Sequence, residues 1–262
     1  MDLGIRGRKA IVNGGSSGIG RSTAAALARE GVTLFIAARG EERLLRVCKE
    51  MAAETGASIT PIVADHSTAE GREKILALCP EPDILVGTAS PPSYTDDHRA
   101  VTIEDWRKTL DVTLLSPVQF IDAVIDGMME RRWGRIVNIS TVAAKYPNAV
   151  RMLSGPPRSA LANYCVAIGR KAIKHNVTVN SVLPLMHHTD GIRIVLEQRG
   201  ALYGRTYEEA VEEIIKNRPI PAGRFGNPDD TGAFVALFCS EFANYVTGQS
   251  LVVDGGVSNS VF

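Results

Sequence analysis

Asn13-Gly14-Gly15-Ser16-Ser17-Gly18-Ile19-Gly20 decides how the rest of the chain is read, because it joins a strand-like stretch to a helix-like one. Before it, Lys9-Ala10-Ile11-Val12 reads as a short buried strand; after it, Ser22 to Arg29 is alanine-rich and stops at Gly31. A glycine-rich turn in that setting lets backbone N–H groups approach a phosphate closely, and the helix N-terminus adds partial positive charge. The spacing of the glycines is weak evidence alone, and the strand–turn–helix context strengthens it. The stretch therefore reads as a dinucleotide site with the pyrophosphate over Gly14 to Gly20, the plainer alternative being a tight turn without a ligand.

Working outward, candidate strands recur at Lys9–Asn13, Thr33–Ala38, Thr60–Val63, Ile84–Gly87, Gly134–Ser140, Val177–Leu183 and Ser250–Val253. Several are continuous rather than alternating, as in strands buried on both faces. Amphipathic stretches lie between them at Glu41–Thr55, Ile103–Asp111, Pro117–Arg131 and Ser159–Lys174. This alternation predicts an α/β fold, a Rossmann-like doubly wound parallel sheet in a single domain spanning residues 1–262. Ligands then bind at the carboxyl ends of the strands, near the switch in strand order.

The bulk numbers narrow the function classes. The chain has 262 residues with no linker, repeat or low-complexity segment to divide it. Lys plus Arg (29) equals Asp plus Glu (29), which argues against nucleic acid as a partner and leaves self-association unopposed. The N-terminus has no apolar signal core, and no apolar run reads as long enough to cross a membrane, so a cytoplasmic protein is expected. Cys48, Cys79, Cys165 and Cys239 are scattered without a CxxC pair, reading as reduced core thiols rather than disulfides or metal ligands.

The second strand ends at Ala38-Arg39, with no acid there to bind a ribose 2′-hydroxyl. An arginine at this point favours the 2′-phosphate of NADP(H) over NAD(H), through paired charge-assisted hydrogen bonds; Ser16 and Ser17 add neutral donors. Asp65, closing the third strand, either accepts from the adenine amino group or caps the helix that follows.

The chain resembles the short-chain dehydrogenase/reductase family over essentially its whole length. The resemblance is carried by the Asn13–Gly20 turn and by Gly134-Arg135-Ile136-Val137-Asn138-Ile139-Ser140. It extends through Val177–Pro184, Pro221–Gly226 and Val246–Gly256, in the family's order and spacing. It implies a nicotinamide cofactor, a small-molecule substrate, a homodimer or homotetramer, and contact of Thr189 with the nicotinamide carboxamide. Leu185 stands where the family places glycine after Pro184.

Family chemistry pairs a tyrosine, which exchanges a proton with the substrate oxygen, with a lysine four residues on; a serine and an asparagine assist. Those positions fall here on Ser154, Arg158, Thr141 and Thr113, and no Tyr-x-x-x-Lys occurs anywhere in the chain. After the fourth strand Gly87-Thr88-Ala89-Ser90 replaces the expected Asn-Asn-Ala-Gly. Thr141 keeps a hydroxyl for the substrate oxygen, and Arg158 keeps a cation at the ribose. Ser154 is the serious departure, because an alkyl hydroxyl is far less acidic than a phenol. The same serine and arginine resemble a branch of the family labelled as 3-oxoacyl-acyl-carrier-protein reductases. Substitute acids among the remaining residues are His188 and Tyr146, then His187, Tyr94 and His98, while Tyr164 reads as core or interface. Residues 190–218 occupy the family's variable substrate lid.

Three functions compete. The first is an NADP(H)-dependent carbonyl or alcohol oxidoreductase with a reworked proton donor. The second is a cofactor-binding protein without turnover, acting as a sensor or inactive partner. The third is a non-redox enzyme on the same fold, such as a dehalogenase, which Arg158 suits and Ser154 and the intact glycine turn do not.

Overall fold

Apolar runs flanked by glycine and polar punctuation fold into parallel strands β1 (Lys9–Asn13), β2 (Thr33–Ala38), β3 (Ile59–Val63), β4 (Ile84–Thr88), β5 (Gly134–Ile139), β6 (Val177–Pro184) and β7 (Ser250–Val253). The coordinates are a computed structural model and describe residues 2–89, 97–201, 204–217 and 220–259. The strands form one sheet in the order β3-β2-β1-β4-β5-β6-β7. The chain builds β1, β2 and β3 outward in one direction, then returns to place β4 on the other side of β1. That reversal leaves a crevice above the carboxyl ends of β1 and β4, where Asn13 pairs in register with Gly87.

Nine helices are described: α1 (Gly18–Arg29), α2 (Glu41–Thr55), α3 (Ala69–Leu78), α4 (Ile103–Leu110), α5 (Ser116–Glu130), α6 (Gly155–Ala172), α7 (Asp190–Ala201), α8 (Tyr207–Asn217) and α9 (Pro228–Phe238). Helices α1, α2 and α9 cover one face of the sheet, and α3, α5 and α6 the other. In β1 the two-residue period sends Ala10 and Val12 into the first layer and Ile11 into the second. β5 and β6 are buried along their whole length, which is why they read as unbroken apolar runs. Phe120, Ile121 and Met128 of α5 are fully enclosed, each stabilising the fold by roughly 1.5–3 kcal/mol. A third cluster joins Leu196 of α7, Tyr207 and Val211 of α8, Ile220 and Phe225.

Several expectations are corrected. Helix α3 enters the sequence reading only as the helix after Asp65, without bounds, and α9 has no counterpart there; α3 is capped by Thr68, whose side chain accepts from the Gly71 amide, and α9 by Asn227. Helix α1 begins at Gly18, inside the glycine turn, and α6 at Gly155, so Arg158 lies within a helix. Helices α4 and α5 run together through a π-helical turn at Asp111–Leu115. The continuous stretch Ile103–Glu130 is, by length and composition, apolar enough to cross a membrane, contrary to the reading above. Phe120, Ile121, Val124, Ile125 and Met128 of this stretch are instead packed in the second core layer. All four cysteines are free and buried, and the described residues hold no cluster of metal-ligating side chains.

Candidate active site

Strand β1 delivers its carboxyl end straight into the glycine turn. The Gly14 amide donates to the Ala37 carbonyl at 2.8 Å, tying the turn to β2. Gly14 has φ +77°, and a Cβ at Gly20 would stand 2.4 Å from the Gly14 carbonyl oxygen, so neither position has room for a side chain. Ser17 is the N-cap of α1 but its hydroxyl makes no capping bond. The amides of the first turn therefore remain open to an anion, in the partial positive charge of the helix end. Gly14, Ser16, Ser17, Gly18, Ile19 and Gly20 all line a single long cleft of about 880 Å³. Across it, Thr189 approaches the turn so closely that a Cβ at Gly18 would lie 3.3 Å from its methyl group.

At one end of the cleft, β2 terminates at Arg39, whose side chain is 72% exposed and stands 3.8 Å from the Asp65 carboxylate. Arg43 and Arg46, on the first turns of α2, line the same end. These two are missed by the sequence reading; their three-residue spacing directly after β2 is the signal that places them on one helix face. Asp65 accepts from the Ser67 amide at 2.9 Å and from its hydroxyl at 2.6 Å. Burial pushes the Asp65 carboxyl up, and the Ser67 hydrogen bonds together with Arg39 outweigh it and hold the group below the usual carboxylate range. The cap of α3 is Thr68, so Asp65 organises the turn before that helix rather than capping it.

At the other end, β5 leads into Ser140 and Thr141, and α6 opens on Ser154. Ser154 and Arg158 are both buried, 3% and 4% exposed. Arg158 Nη1 donates to Ser154 Oγ at 3.2 Å and to the Ser154 carbonyl at 3.3 Å; Nη2 donates to the Ala89 carbonyl at 3.4 Å. Burial, and secondarily the charge of Arg151, pushes the Arg158 guanidinium down to about 10. Arg151, also missed from sequence, precedes Ser154 by one turn: the Ser154 amide donates to its carbonyl at 2.9 Å. Thr141 lines the cleft and caps a short 3₁₀ turn, its hydroxyl accepting from the Ala143 amide, and Ser140 Oγ is buried without a partner among the described residues.

Thr113 sits in the π-helical turn and donates its hydroxyl proton to the Thr109 carbonyl at 2.7 Å. It lines an inner chamber of about 20 Å³ beneath the cleft, together with Asn13, His66, Asn138, Ser140 and Arg158. That volume admits about one water. His66 Nδ1 lies 3.0 Å from Ser116 Oγ, and burial holds it below the usual histidine range.

The substitute acids fare differently. His188 turns away from the cleft: Nδ1 lies 2.8 Å from the Tyr207 hydroxyl, and the ring packs on Phe225. His187 is buried with Nε2 2.7 Å from Thr231 Oγ1. Tyr146 is not among the residues lining the cleft, and neither is His98, which lies in an exposed 3₁₀ turn. Tyr164 hydrogen-bonds Asp122 on α5. Ser90 and Tyr94 lie outside the described residues. No tyrosine lines the cleft among the described residues.

The cradle without side chains, the open helix end and the orphaned Asn13 and Ser140 oxygens suit a dinucleotide stretched along the carboxyl edge of the sheet. The sequence model of a family described as "Enoyl-(Acyl carrier protein) reductase" matches residues 14–258. The chain is 30% identical to the 3-oxoacyl-[acyl-carrier-protein] reductase FabG of Aquifex aeolicus, covering 98% of this chain and 100% of that protein. It is 29% identical to an uncharacterised oxidoreductase of Bacillus subtilis, YvaG, with both chains fully covered. L-sorbose reductase from Gluconobacter frateurii, solved with NADPH and L-sorbose, superimposes with a TM-score of 0.94 at 25% identity over the whole of both chains. Fold, cradle and full-length similarity agree: the chain belongs to the short-chain dehydrogenase/reductase family and is an NAD(P)-dependent oxidoreductase of that family.

Proposed function

We propose that the protein is an NADP(H)-dependent reductase or dehydrogenase acting on a small carbonyl or alcohol substrate, with Ser154 and Arg158 in place of the usual tyrosine and lysine. The observation that carries this reading is the 3.2 Å contact between Arg158 Nη1 and Ser154 Oγ, buried at the inner end of the cleft that begins at the glycine turn. A bound nicotinamide supplies hydride exchange with a carbon of the substrate. The chain's part is to bind, orient and move the accompanying proton. Gly14 to Gly20 hold the pyrophosphate, Thr189 the carboxamide, and Arg39 the 2′-phosphate, backed by Arg43 and Arg46. Asp65 holds Arg39 in place.

Thr141 orients the substrate oxygen, and Ser154 Oγ passes a proton to it. Arg158 donates to Ser154 Oγ, which stabilises negative charge on that oxygen as the proton leaves. The inner chamber, with Thr113 and Arg158 in its wall, offers space for the water that returns the proton from solvent. Helices α7 and α8 act as the lid, through Gly191 and Ile192 at the mouth of the cleft. The exposed Phe234, Leu237, Phe242 and Tyr245 support a homodimer or homotetramer.

A second reading, cofactor binding without turnover, is favoured by one fact: the described cleft carries no phenol. Fluorescence titration with NADPH and NADH, followed by turnover on a panel of ketones and β-ketoacyl thioesters, separates the two. Tight NADPH binding with turnover supports the reductase; binding without turnover supports the second reading, and binding of neither cofactor overturns both.

A further inference from the structure

We propose that His66 is the solvent-side station of a proton path that runs through the inner chamber and Ser140 to Ser154, and that it resupplies the proton spent on each reduced substrate. This inference rests on the function proposed above and adds a residue to that site.

The position of His66 is the first observation. It lines both the long cleft and the inner chamber of about 20 Å³. Among the described residues of the chamber wall only His66 and Arg158 titrate, and both border the cleft as well. Near neutral pH an arginine stays protonated and passes no proton on. His66 is the group in that wall able both to take one up and to release it.

The second observation fixes which imidazole nitrogen is available. Ser116 Oγ donates its single proton to the His66 carbonyl at 2.7 Å and lies 3.0 Å from His66 Nδ1. With that proton spent, the contact is a hydrogen bond only if Nδ1 carries the hydrogen. Nε2 is then the basic nitrogen, and it has no hydrogen-bond partner among the described residues. Burial holds the ring below the usual histidine range; Asp65 opposes this, while Arg39 and Arg72 reinforce it.

The third observation is what the chamber can hold. Asn13 Oδ1 and Ser140 Oγ are buried in its wall without partners among the described residues, and the volume admits about one water. Arg158 spends three of its five N–H donors on Ser154 and Ala89, which leaves two for such a water. The other wall hydroxyls are committed: Thr113 donates to the Thr109 carbonyl at 2.7 Å, and Ser116 to His66. Ser140 keeps an unspent proton and lines the same cleft as Ser154.

The protons balance. In reduction, Ser154 Oγ gives its proton to the substrate oxygen and takes one from the Ser140 hydroxyl. Ser140 takes one from the chamber water, the water takes one from His66 Nε2, and His66 regains one from solvent. One proton enters per turnover, no electron moves along the path, and Arg158 keeps its charge. In oxidation the order reverses.

The test uses the full-length protein with NADPH and ethyl 3-oxobutanoate, or the ketone or thioester of the panel above that it reduces faster. His66→Asn keeps a donor for Ser116 but has no base. It should lower the steady-state kcat by at least about tenfold. The first turnover in stopped flow should be slowed less, because it spends the proton already on Ser154. The loss should fall on kcat rather than on KM or the NADPH Kd, and added imidazole should restore part of the rate in His66→Ala. Ser140→Ala should also lower kcat, and the double variant should be no slower than the slower single one, as for two stations on one path. Independently of turnover, 15N NMR should show the His66 ring, identified by the signal missing in His66→Asn, with hydrogen on Nδ1 and none on Nε2. An unchanged kcat in His66→Asn overturns the path, as do a loss confined to the NADPH Kd, fully additive losses in the double variant, or hydrogen on Nε2. A wild type that binds NADPH but reduces nothing in the panel overturns the reductase reading and the path with it. A wild type that turns over upholds that reading whichever way His66→Asn behaves.

Discussion

Arg158 Nη1 stands 3.2 Å from Ser154 Oγ, one turn apart at the start of α6, and both side chains are almost wholly enclosed. A family that normally acidifies a phenol with a lysine has here an alkyl hydroxyl facing a guanidinium. The hydroxyl alone is a poor acid, so the proposed mechanism has the guanidinium stabilise the oxygen as the proton leaves.

Removing the hydroxyl tests that arrangement most directly. Ser154→Ala should lower kcat by about 10²-fold or more, the ordinary contribution of a positioned proton-transfer group. NADPH affinity should stay near the wild-type value, because the serine is assigned to the proton and not to the cofactor. Stopped-flow hydride transfer and a fluorescence titration measure the two separately. Full activity in Ser154→Ala would move the proton donor elsewhere in the cleft.

The alkaline limb of the pH–rate profile should report Arg158. Burial pushes its guanidinium down to about 10, and the protonated form is the one that donates to Ser154. Activity should therefore hold below that value and fall as pH rises through it. Arg158→Lys should move the limb to lower pH, since an ordinary lysine already titrates near 10.4 and burial depresses it further. A limb that stays in place in Arg158→Lys removes Arg158 from the proton path.

Much of this site was legible in the sequence, and the reasons differ from part to part. β1, β2 and β7 were read with their observed bounds because each is a largely continuous apolar run closed by polar or glycine punctuation. Helix α9 was passed over because Pro228–Phe238 is apolar nearly all round and gives no amphipathic period; α3 carries Gly71 and an equally weak pattern. Ser154, Arg158, Thr141 and the glycine turn, placed by register, line one cleft. Arg151 was missed because its role depends on how a 3₁₀ turn folds back onto α6. His188 was one candidate substitute acid, but the Tyr207 and Phe225 rings of the α7–α8 cluster hold it, a tertiary contact that no local pattern carries.

The glycine cradle makes a steric prediction. In Gly20→Ala the new methyl group would meet the Gly14 carbonyl at 2.4 Å, a backbone atom that cannot swing aside. NADPH binding should be lost or weakened more than tenfold, given about 1.4 kcal/mol per tenfold change and backbone strain of ~1–3 kcal/mol. Titration by fluorescence reads the loss, and a circular-dichroism spectrum like that of the wild type shows that the fold survives. Wild-type affinity would mean that the turn does not hold the cofactor.

Arg39 should control the choice between the two nicotinamide cofactors. Its side chain is 72% exposed and, among the described residues, ion-paired only with Asp65 at 3.8 Å, which leaves donors to meet a 2′-phosphate. Arg39→Ala should weaken NADPH binding by about tenfold or more while leaving NADH nearly unaffected, because only the former carries the extra anion. Comparing the two Kd values for wild type and variant gives the answer. The additional substitution Arg43→Ala should reduce NADPH affinity again. Equal losses for both cofactors would show that Arg39 contacts the shared part of the molecule.

Acid sensitivity should come in part from His187. Its ring is 3% exposed, its Nε2 faces Thr231 Oγ1 at 2.7 Å, and it packs so tightly on Gly226 that a Cβ there would meet ring atoms at 2.6 Å. Burial holds its pKa below the usual 6.5, partly opposed by the Leu185 backbone and by Asp230. The folded state therefore keeps this imidazole neutral at pH values where the unfolded chain has taken up a proton. Stability is fully present above pH 6.5 and declines as pH falls below it, by up to about 1.4 kcal/mol per pH unit, until the folded-state pKa is reached. His66, held low chiefly by burial, adds to the same trend. Urea denaturation at pH 7.0, 6.0 and 5.0 should show falling stability in the wild type and a shallower fall in His187→Gln, which cannot titrate. Comparing the pH dependence within each protein, rather than stability at one pH, cancels the packing lost on replacing the ring. Parallel wild-type and variant curves would mean that His187 takes up its proton as readily in the folded protein as in the unfolded chain.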